Sequence, residues 1–165
     1  MLPEWAHHIN NRDEQVTVLS PRGCGEFSAW TRKNPPNYVE RAHALLGRTV
    51  DAGRVWDVQA TARWLHEAEG NELPVRVIGK GQSGVIAAYA ALFETCIAEV
   101  TLVDPPSTHR DGPHFLGVMK VLDVPDAIGL LAPRRVTLVN AKDAAFGRSE
   151  QAYKAAGYEG RIERK

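Results

Sequence analysis

The feature of this sequence that most constrains its fold is an apolar run, a glycine-rich turn and a second apolar run in direct succession. Val75–Ile78 is apolar apart from Arg76, and the six residues that follow read GKGQSG. Val85–Phe93 is apolar on every side of a helix, so that helix must be buried against something large. The order predicts a central strand, a tight turn at Gly79–Gly84 and a core helix.

The rest of the chain alternates strand-like with helix-like segments. β-Branched runs predict strands, and apolar periodicity predicts helices. The strands are Gln15–Leu19, Glu99–Val103, Val136–Val139 and a terminal run Arg161–Glu163; the helices are Tyr38–Leu46, Asp51–Glu69, Asp126–Leu131 and one around Ser149–Ala156. Strands that alternate with helices favour a parallel sheet with right-handed crossovers. The sequence therefore predicts an α/β fold, a three-layer α/β/α sandwich around a mainly parallel sheet.

Length and charge limit the number of domains and the classes of partner. The 165 residues are enough for one ordinary domain, in which residues 1–14 are expected to be an N-terminal extension. Twenty basic and twenty acidic residues balance, which argues against a nucleic-acid binder or a binder of anionic membranes. No apolar run reaches the length of a bilayer span, and no signal-peptide pattern opens the chain. A cytoplasmic protein is expected.

The carboxyl ends of the predicted strands define one candidate site. In open parallel sheets, ligands bind beyond these ends. The loops that lie there are Gly79–Ser83, Asp104–His114 and Asn140–Phe146. The candidate ligand-binding residues are Gly79, Lys80, Gly81, Gln82 and Asp104.

One interpretation of the turn is dinucleotide binding. Gly79, Gly81 and Gly84 spell G-x-G-x-x-G between a strand and a helix, a pattern that lets the backbone approach a pyrophosphate. Asp104 ends the next strand, where its carboxylate could accept from a ribose hydroxyl. Against this interpretation, the pattern usually opens a domain, whereas here a strand, a loop and two helices precede it.

A second interpretation rests on a wider stretch of sequence. The segments RVWDVQATARWL, VRVIGKGQSGVIAAYAAL, VTLVDPP and GLLAPRRVTLVNAKDAAF closely resemble the C-terminal half of α/β-hydrolases of the acetyl xylan esterase and prolyl oligopeptidase type. The resemblance covers roughly Val16–Lys165. It implies an α/β-hydrolase-like sheet that lacks its first strands, with the glycine-rich turn as its nucleophile elbow.

The resemblance also implies a role for each residue of the elbow. Matched to the family's G-x-S-x-G motif, Gly81 stands where the serine nucleophile belongs and Ser83 where the closing glycine belongs. The amide of Gln82 would be one oxyanion donor, and Asp143 would be the candidate acid. The family's histidine follows the last strand, and the chain stops at Lys165 before supplying one. The catalytic machinery of the family is therefore expected to be incomplete, and the family's mechanism to be lost.

Other residues offer alternatives to the missing ones. An active esterase on small acyl esters could use Ser83 as a relocated nucleophile with His109 as base and Asp143 as acid, or a site completed by another chain. His109, Asp111 and His114 are also nitrogen and oxygen donors close in sequence, but their spacing suits neither one strand face nor one helix face. Neither a metal nor a cofactor is predicted.

The hypotheses favoured are therefore a non-catalytic domain that binds a ligand or a partner and, as alternatives, an esterase or a dinucleotide-binding domain. The ligand of the first two would be a small molecule or a carbohydrate ester, and a secreted location is possible if the chain is part of a longer protein. A sheet without its first strands has an open edge, which predicts a homo-oligomer or a partner chain that covers it. Trp56 and Trp64, eight apart on a predicted helix, are expected to pack rather than to bind sugar.

Overall fold

The computed structural model of the protein describes residues 15–25, 38–70 and 73–165. In chain order the elements are α1 (Tyr38–Leu45), α2 (Val50–Ala68), β1 (Val75–Lys80), α3 (Gln82–Phe93), β2 (Ile97–Val103), α4 (Val124–Gly129), β3 (Arg135–Val139), α5 (Gly147–Ala155) and β4 (Ile162–Arg164). The four strands form one parallel sheet in the order β1-β2-β3-β4. The predicted α/β sandwich is confirmed, and the N-terminal extension 1–14 lies outside the described residues.

Local signals set the helix boundaries. The Thr49 hydroxyl caps α2 by accepting the Ala52 N–H at 3.0 Å, and Gly70 follows the helix with φ of +68°. Helix α4 has a capping box, in which the Asp123 side chain accepts the Asp126 N–H and Asp126 Oδ2 accepts the Asp123 N–H at 2.9 Å. None of the described helices is long and apolar enough to cross a membrane.

The two faces of the sheet differ in chemistry. Strand register aligns Val77, Val100 and Val136 in one row across the sheet. Val100 and Val136 are fully buried, and they belong to one hydrophobic core that also contains side chains from α2, α3, α4 and α5. The neighbouring rows point to the opposite face, where Arg135 Nε lies 3.5 Å from Glu99 Oε1. Helices on this second face, the third layer of the expected sandwich, stay a prediction.

The prediction of a strand at Gln15–Leu19 is wrong. Residues 15–20 are exposed and belong to no β-ladder. The chain is instead attached to α2 by Arg22, whose backbone N–H and Nε both donate to Asp57 Oδ2 at 2.9 Å. β-Propensity describes how a side chain fits a paired, half-buried strand, and it forms no strand where a neighbouring strand is missing.

The prediction that Trp56 and Trp64 are packing residues is also wrong. Their exposed fractions are 62% and 63%, because the helical repeat of α2 turns Val55 and Ala62 inward and the two indoles outward. The guanidinium of Arg22 lies 5.9 Å from the ring centroid of Trp56. The exposed indole of Trp56 therefore lies beside Arg22.

Candidate functional site

The carboxyl ends of β1, β2 and β3 lie side by side and bring the three predicted loops to one edge of the sheet. Asp104 stands at the centre of this edge. Its Oδ1 accepts from Asn140 Nδ2 at 3.1 Å, and its Oδ2 lies 3.3 Å from Lys80 Nζ. The bond from Asn140 and the one from Lys80 lower the pKa of the Asp104 carboxyl. Both carboxylate oxygens thus have protein partners, and a ribose hydroxyl would have to compete with them.

Gly81 forms the apex of the turn between β1 and α3. Its φ of +58° and ψ of −132° lie in a region that residues with a side chain rarely adopt. The Gly81 N–H donates to the Val103 carbonyl at 2.8 Å, which fixes the apex against β2. A Cβ built on Gly81 meets no atom within 4 Å. The turn therefore has the sharp strand-to-helix geometry of a nucleophile elbow, with open space where a nucleophile's side chain would stand.

The backbone at the end of β1 packs closely against the backbone at the start of α3. A Cβ on Gly79 would lie 2.6 Å from the Ser83 carbonyl oxygen and 2.6 Å from the Gly84 nitrogen, and a Cβ on Gly84 would lie 2.7 Å from the Gly79 oxygen. Gly79 and Gly84 are thus the positions at which sterics exclude a side chain. Ser83, at the position of the motif's closing glycine, is exposed, so a hydroxymethyl group is accommodated there.

The loop after β2 covers the start of α3. Gln82 Nε2 donates to the Asp111 carbonyl oxygen at 2.6 Å. Gly112 packs directly against the side-chain amide of Gln82, and a Cβ at Gly112 would lie only 2.5 Å from Gln82 Nε2. Gln82, whose backbone amide was expected to be an oxyanion donor, therefore also uses its side chain to hold this loop.

His109 is a buried structural histidine. Only 3% of its surface is exposed, and Nδ1 lies 2.8 Å from the Pro113 carbonyl oxygen. Since a carbonyl can only accept, Nδ1 carries a proton, and Nε2 is hydrogen-bonded to the Tyr89 hydroxyl at 2.8 Å. Burial, reinforced by the charges of Asp123 and Asp126, raises the pKa of Tyr89 to about 12. Both ring nitrogens bond to groups other than Ser83.

Asp143 has its hydrogen-bond partners without a histidine. Its Oδ1 accepts the Ala145 N–H at 2.9 Å, and its Oδ2 accepts the Ser107 hydroxyl at 2.5 Å. The Ala145 bond and then the Ser107 bond lower the pKa of the Asp143 carboxyl. The hydroxyl of Ser107 is thus the side-chain donor to Asp143. Sequence reasoning missed Ser107, since a serine in a polar loop carries no signal of its partner.

The three weak candidates for metal binding do not form a cluster. The His109 ring is committed to Tyr89 and Pro113, whereas the His114 backbone N–H donates to Asp51 Oδ2 at 2.7 Å. Among the residues that the structure describes, no three histidine, cysteine or acidic side chains could hold a metal ion together.

Comparison with known proteins bears on the fold of the chain. No protein-family model matches the chain, and no curated protein matches it. A crystal structure of BF1801 from Bacteroides fragilis NCTC 9343, a protein provisionally assigned as an acetyl xylan esterase, superposes with a TM-score of 0.66 at 16% identity, over 87% of this chain and 44% of BF1801. A carbohydrate esterase family 15 glucuronoyl esterase from Caldicellulosiruptor kristjansonii gives a TM-score of 0.49 at 15% identity, over 84% of this chain and 49% of the esterase.

The protein therefore has an α/β-hydrolase-like fold, as the resemblance in its sequence implies. It spans less than half the length of either structure. The predicted parallel sheet and the elbow between its first described strand and α3 are both present.

Proposed function

We propose that this is a catalytically silent α/β-hydrolase-like domain of carbohydrate-esterase lineage that binds a ligand or a partner at the carboxyl edge of its sheet. The observation that carries the proposal is Gly81 at the apex of the elbow. A serine hydrolase attacks the ester carbonyl with a side-chain oxygen at this position. Glycine has no such atom, although the backbone keeps the elbow conformation.

The surroundings of the apex support the same proposal. Asp143 accepts from Ser107, and its lowered pKa makes it a weak base. Both ring nitrogens of His109 are used in hydrogen bonds to Tyr89 and Pro113. Ser83 is left as a hydroxyl without an adjacent base, and such a hydroxyl is a weak nucleophile.

The ligand we propose for this edge is a carbonyl-containing small molecule such as an acylated sugar. The open space above Gly81 could admit an acyl group next to the first amides of α3. BF1801, which shares the fold, is provisionally assigned as an acetyl xylan esterase. Acetylated xylo-oligosaccharide is therefore a rational first probe. Binding without turnover would then be the role of the domain.

Hydrolysis of p-nitrophenyl acetate tests the catalytic half of the proposal. The purified chain is expected to give no rate above buffer, and Ser83→Ala is expected to behave identically. Turnover that Ser83→Ala abolishes would establish an esterase with a relocated nucleophile and overturn the proposal.

Amide chemical shifts of Gly81 and Gln82 test the binding half. We expect these shifts to move on titration with acetylated xylo-oligosaccharide and to move less with the deacetylated sugar. No movement with either sugar would contradict a role as an acyl-sugar binder while leaving the absence of catalysis intact.

A further inference from the structure

The outer edge of β1 offers hydrogen-bonding groups to another strand. The Val75 N–H donates to the Cys96 carbonyl at 2.9 Å and the Gly81 N–H to the Val103 carbonyl at 2.8 Å, so these odd-numbered residues face β2. Successive residues of a strand present their amides to opposite edges, and the N–H and C=O of Ile78 and Lys80 therefore point outward. Within residues 15–25, 38–70 and 73–165, β1 pairs with β2 alone.

The same chain contains a strand-type segment without a sheet. Gln15–Leu19 reads QVTVL, has no regular secondary structure, and forms no backbone hydrogen bond to any described residue. Val16 and Val18 expose 42% and 64% of their surface. β-Branched residues with an unpaired backbone are the chemistry that adds to a free sheet edge.

Hydrogen bonds to α2 hold the chain just after Gln15–Leu19 in place. Arg22 binds Asp57 through its backbone and its guanidinium, and Arg54 Nε donates to the Arg22 carbonyl at 3.0 Å. These bonds fix the chain three residues after Leu19 to the outside of α2, and the segment does not join β1. A donor strand and an acceptor edge thus coexist in one chain without meeting.

We propose that two copies of this chain exchange these elements, with Gln15–Leu19 of each copy pairing with the outer edge of β1 of the other. Donor and acceptor have matching lengths of five and six residues. A reciprocal exchange is closed by two-fold symmetry and pairs the outer edge of β1 in both copies. Twenty basic and twenty acidic residues give no net charge, so the two copies do not repel each other at long range. The exchange is independent of the chemistry at Gly81.

Light scattering across micromolar concentrations is the first part of the test. The full chain should move from 18.2 kDa towards twice that mass as its concentration rises. Hydrogen exchange should slow at the amides of Ile78 and Lys80 and in residues 15–19 over the same concentration range. A mass of 18.2 kDa at every concentration would overturn the proposal.

A matched pair of proline variants, Val18→Pro and Thr17→Pro, is the second part. Because neighbouring residues of a strand offer their N–H groups to opposite edges, one substitution should remove a ladder bond and the other should not. We expect one variant to raise the dimer dissociation constant about tenfold and the other to change it little. Neither should alter the thermal unfolding of the monomer, because neither amide is hydrogen-bonded there. A dimer that tolerates both prolines, or that is weakened equally by both, is held by something other than strand pairing.

Val121→Ser is the control for the proline pair. It changes an apolar side chain that is 83% exposed and lies far along the chain from both elements. The dimer should keep its dissociation constant in this variant. Dissociation caused by Val121→Ser alone would assign the interface to a different surface and overturn the exchange.

Discussion

Replacement of Gly79 by alanine probes the backbone contact that closes the elbow. The new Cβ would lie 2.6 Å from two backbone atoms, the Ser83 oxygen and the Gly84 nitrogen, whereas ordinary contacts begin at 3.4 Å. The strand and the helix would have to separate by 3.4 − 2.6 = 0.8 Å. Overpacking a dense core costs about 1–3 kcal/mol, and contact with backbone on both sides leaves no side chain that can rotate away. We expect Gly79→Ala to lower the free energy of unfolding by about 3 kcal/mol, the upper end of that range.

Urea denaturation followed by circular dichroism measures this loss. The transition midpoint should fall while the slope m stays unchanged, which separates a loss of stability from a change in the unfolded state. Gly147→Ala is the matched control, because its Cβ would meet no atom within 4 Å at the start of α5. That control should be neutral or gain up to about 1 kcal/mol. A loss below about 0.5 kcal/mol in Gly79→Ala would refute the close approach of strand and helix, since changes that small are typical of surface substitutions.

Three further predictions concern Gly81 at the apex, the Arg22–Asp57 ion pair and the Tyr89–His109 hydrogen bond. Gly81→Ala should cost about 1–3 kcal/mol in the same denaturation assay, through its positive φ alone, since its Cβ meets open space; an unchanged midpoint would contradict the elbow conformation. Burial would raise the pKa of Asp57, but the hydrogen bonds from Arg22 outweigh it and lower that pKa. The stability this gives is therefore present above the unfolded pKa of about 3.9 and is lost as the pH falls through the folded value. Arg22→Ala should thus destabilise the protein most at pH 7, and its effect should shrink as the pH falls through the folded pKa of Asp57; an equal loss at pH 7 and in acid would show that the charge is not involved. Tyr89→Phe should lower the unfolding free energy by about 1–3 kcal/mol because Nε2 of buried His109 loses its hydrogen-bond partner, and a thermal midpoint equal to that of the unaltered protein would contradict a stabilising Tyr89–His109 hydrogen bond.

The sequence predicted most of the sheet and helices because their patterns are local. The run Val75–Ile78 and the run Val85–Phe93 became β1 and α3, which extend into the predicted turn until only Gly81 separates them. A helix that is apolar all round has no stable place except against a sheet, so its pattern fixes both its type and its position. The glycine pattern fixed the turn for a similarly local reason, because Gly79 and Gly84 leave no room for a Cβ.

The features that the sequence did not reveal depend on tertiary partners. Gln15–Leu19 has strand composition, but a strand exists only when another strand accepts its hydrogen bonds. Trp56 and Trp64 are large and apolar, yet whether a face of α2 is covered depends on what surrounds it. Ser107 reaches Asp143 from a loop 36 residues earlier in the chain, and no spacing rule connects the two.

The measurement that tests the central claim most directly is the intact mass of the protein after incubation with a fluorophosphonate. Such reagents phosphonylate a serine hydroxyl that the protein activates as a nucleophile, and they ignore unactivated ones. We expect no adduct on this chain, because the elbow apex is Gly81 and the groups that would activate Ser83 are hydrogen-bonded elsewhere. A single stoichiometric adduct that disappears in Ser83→Ala would contradict the account and show that the nucleophile has moved two residues into α3.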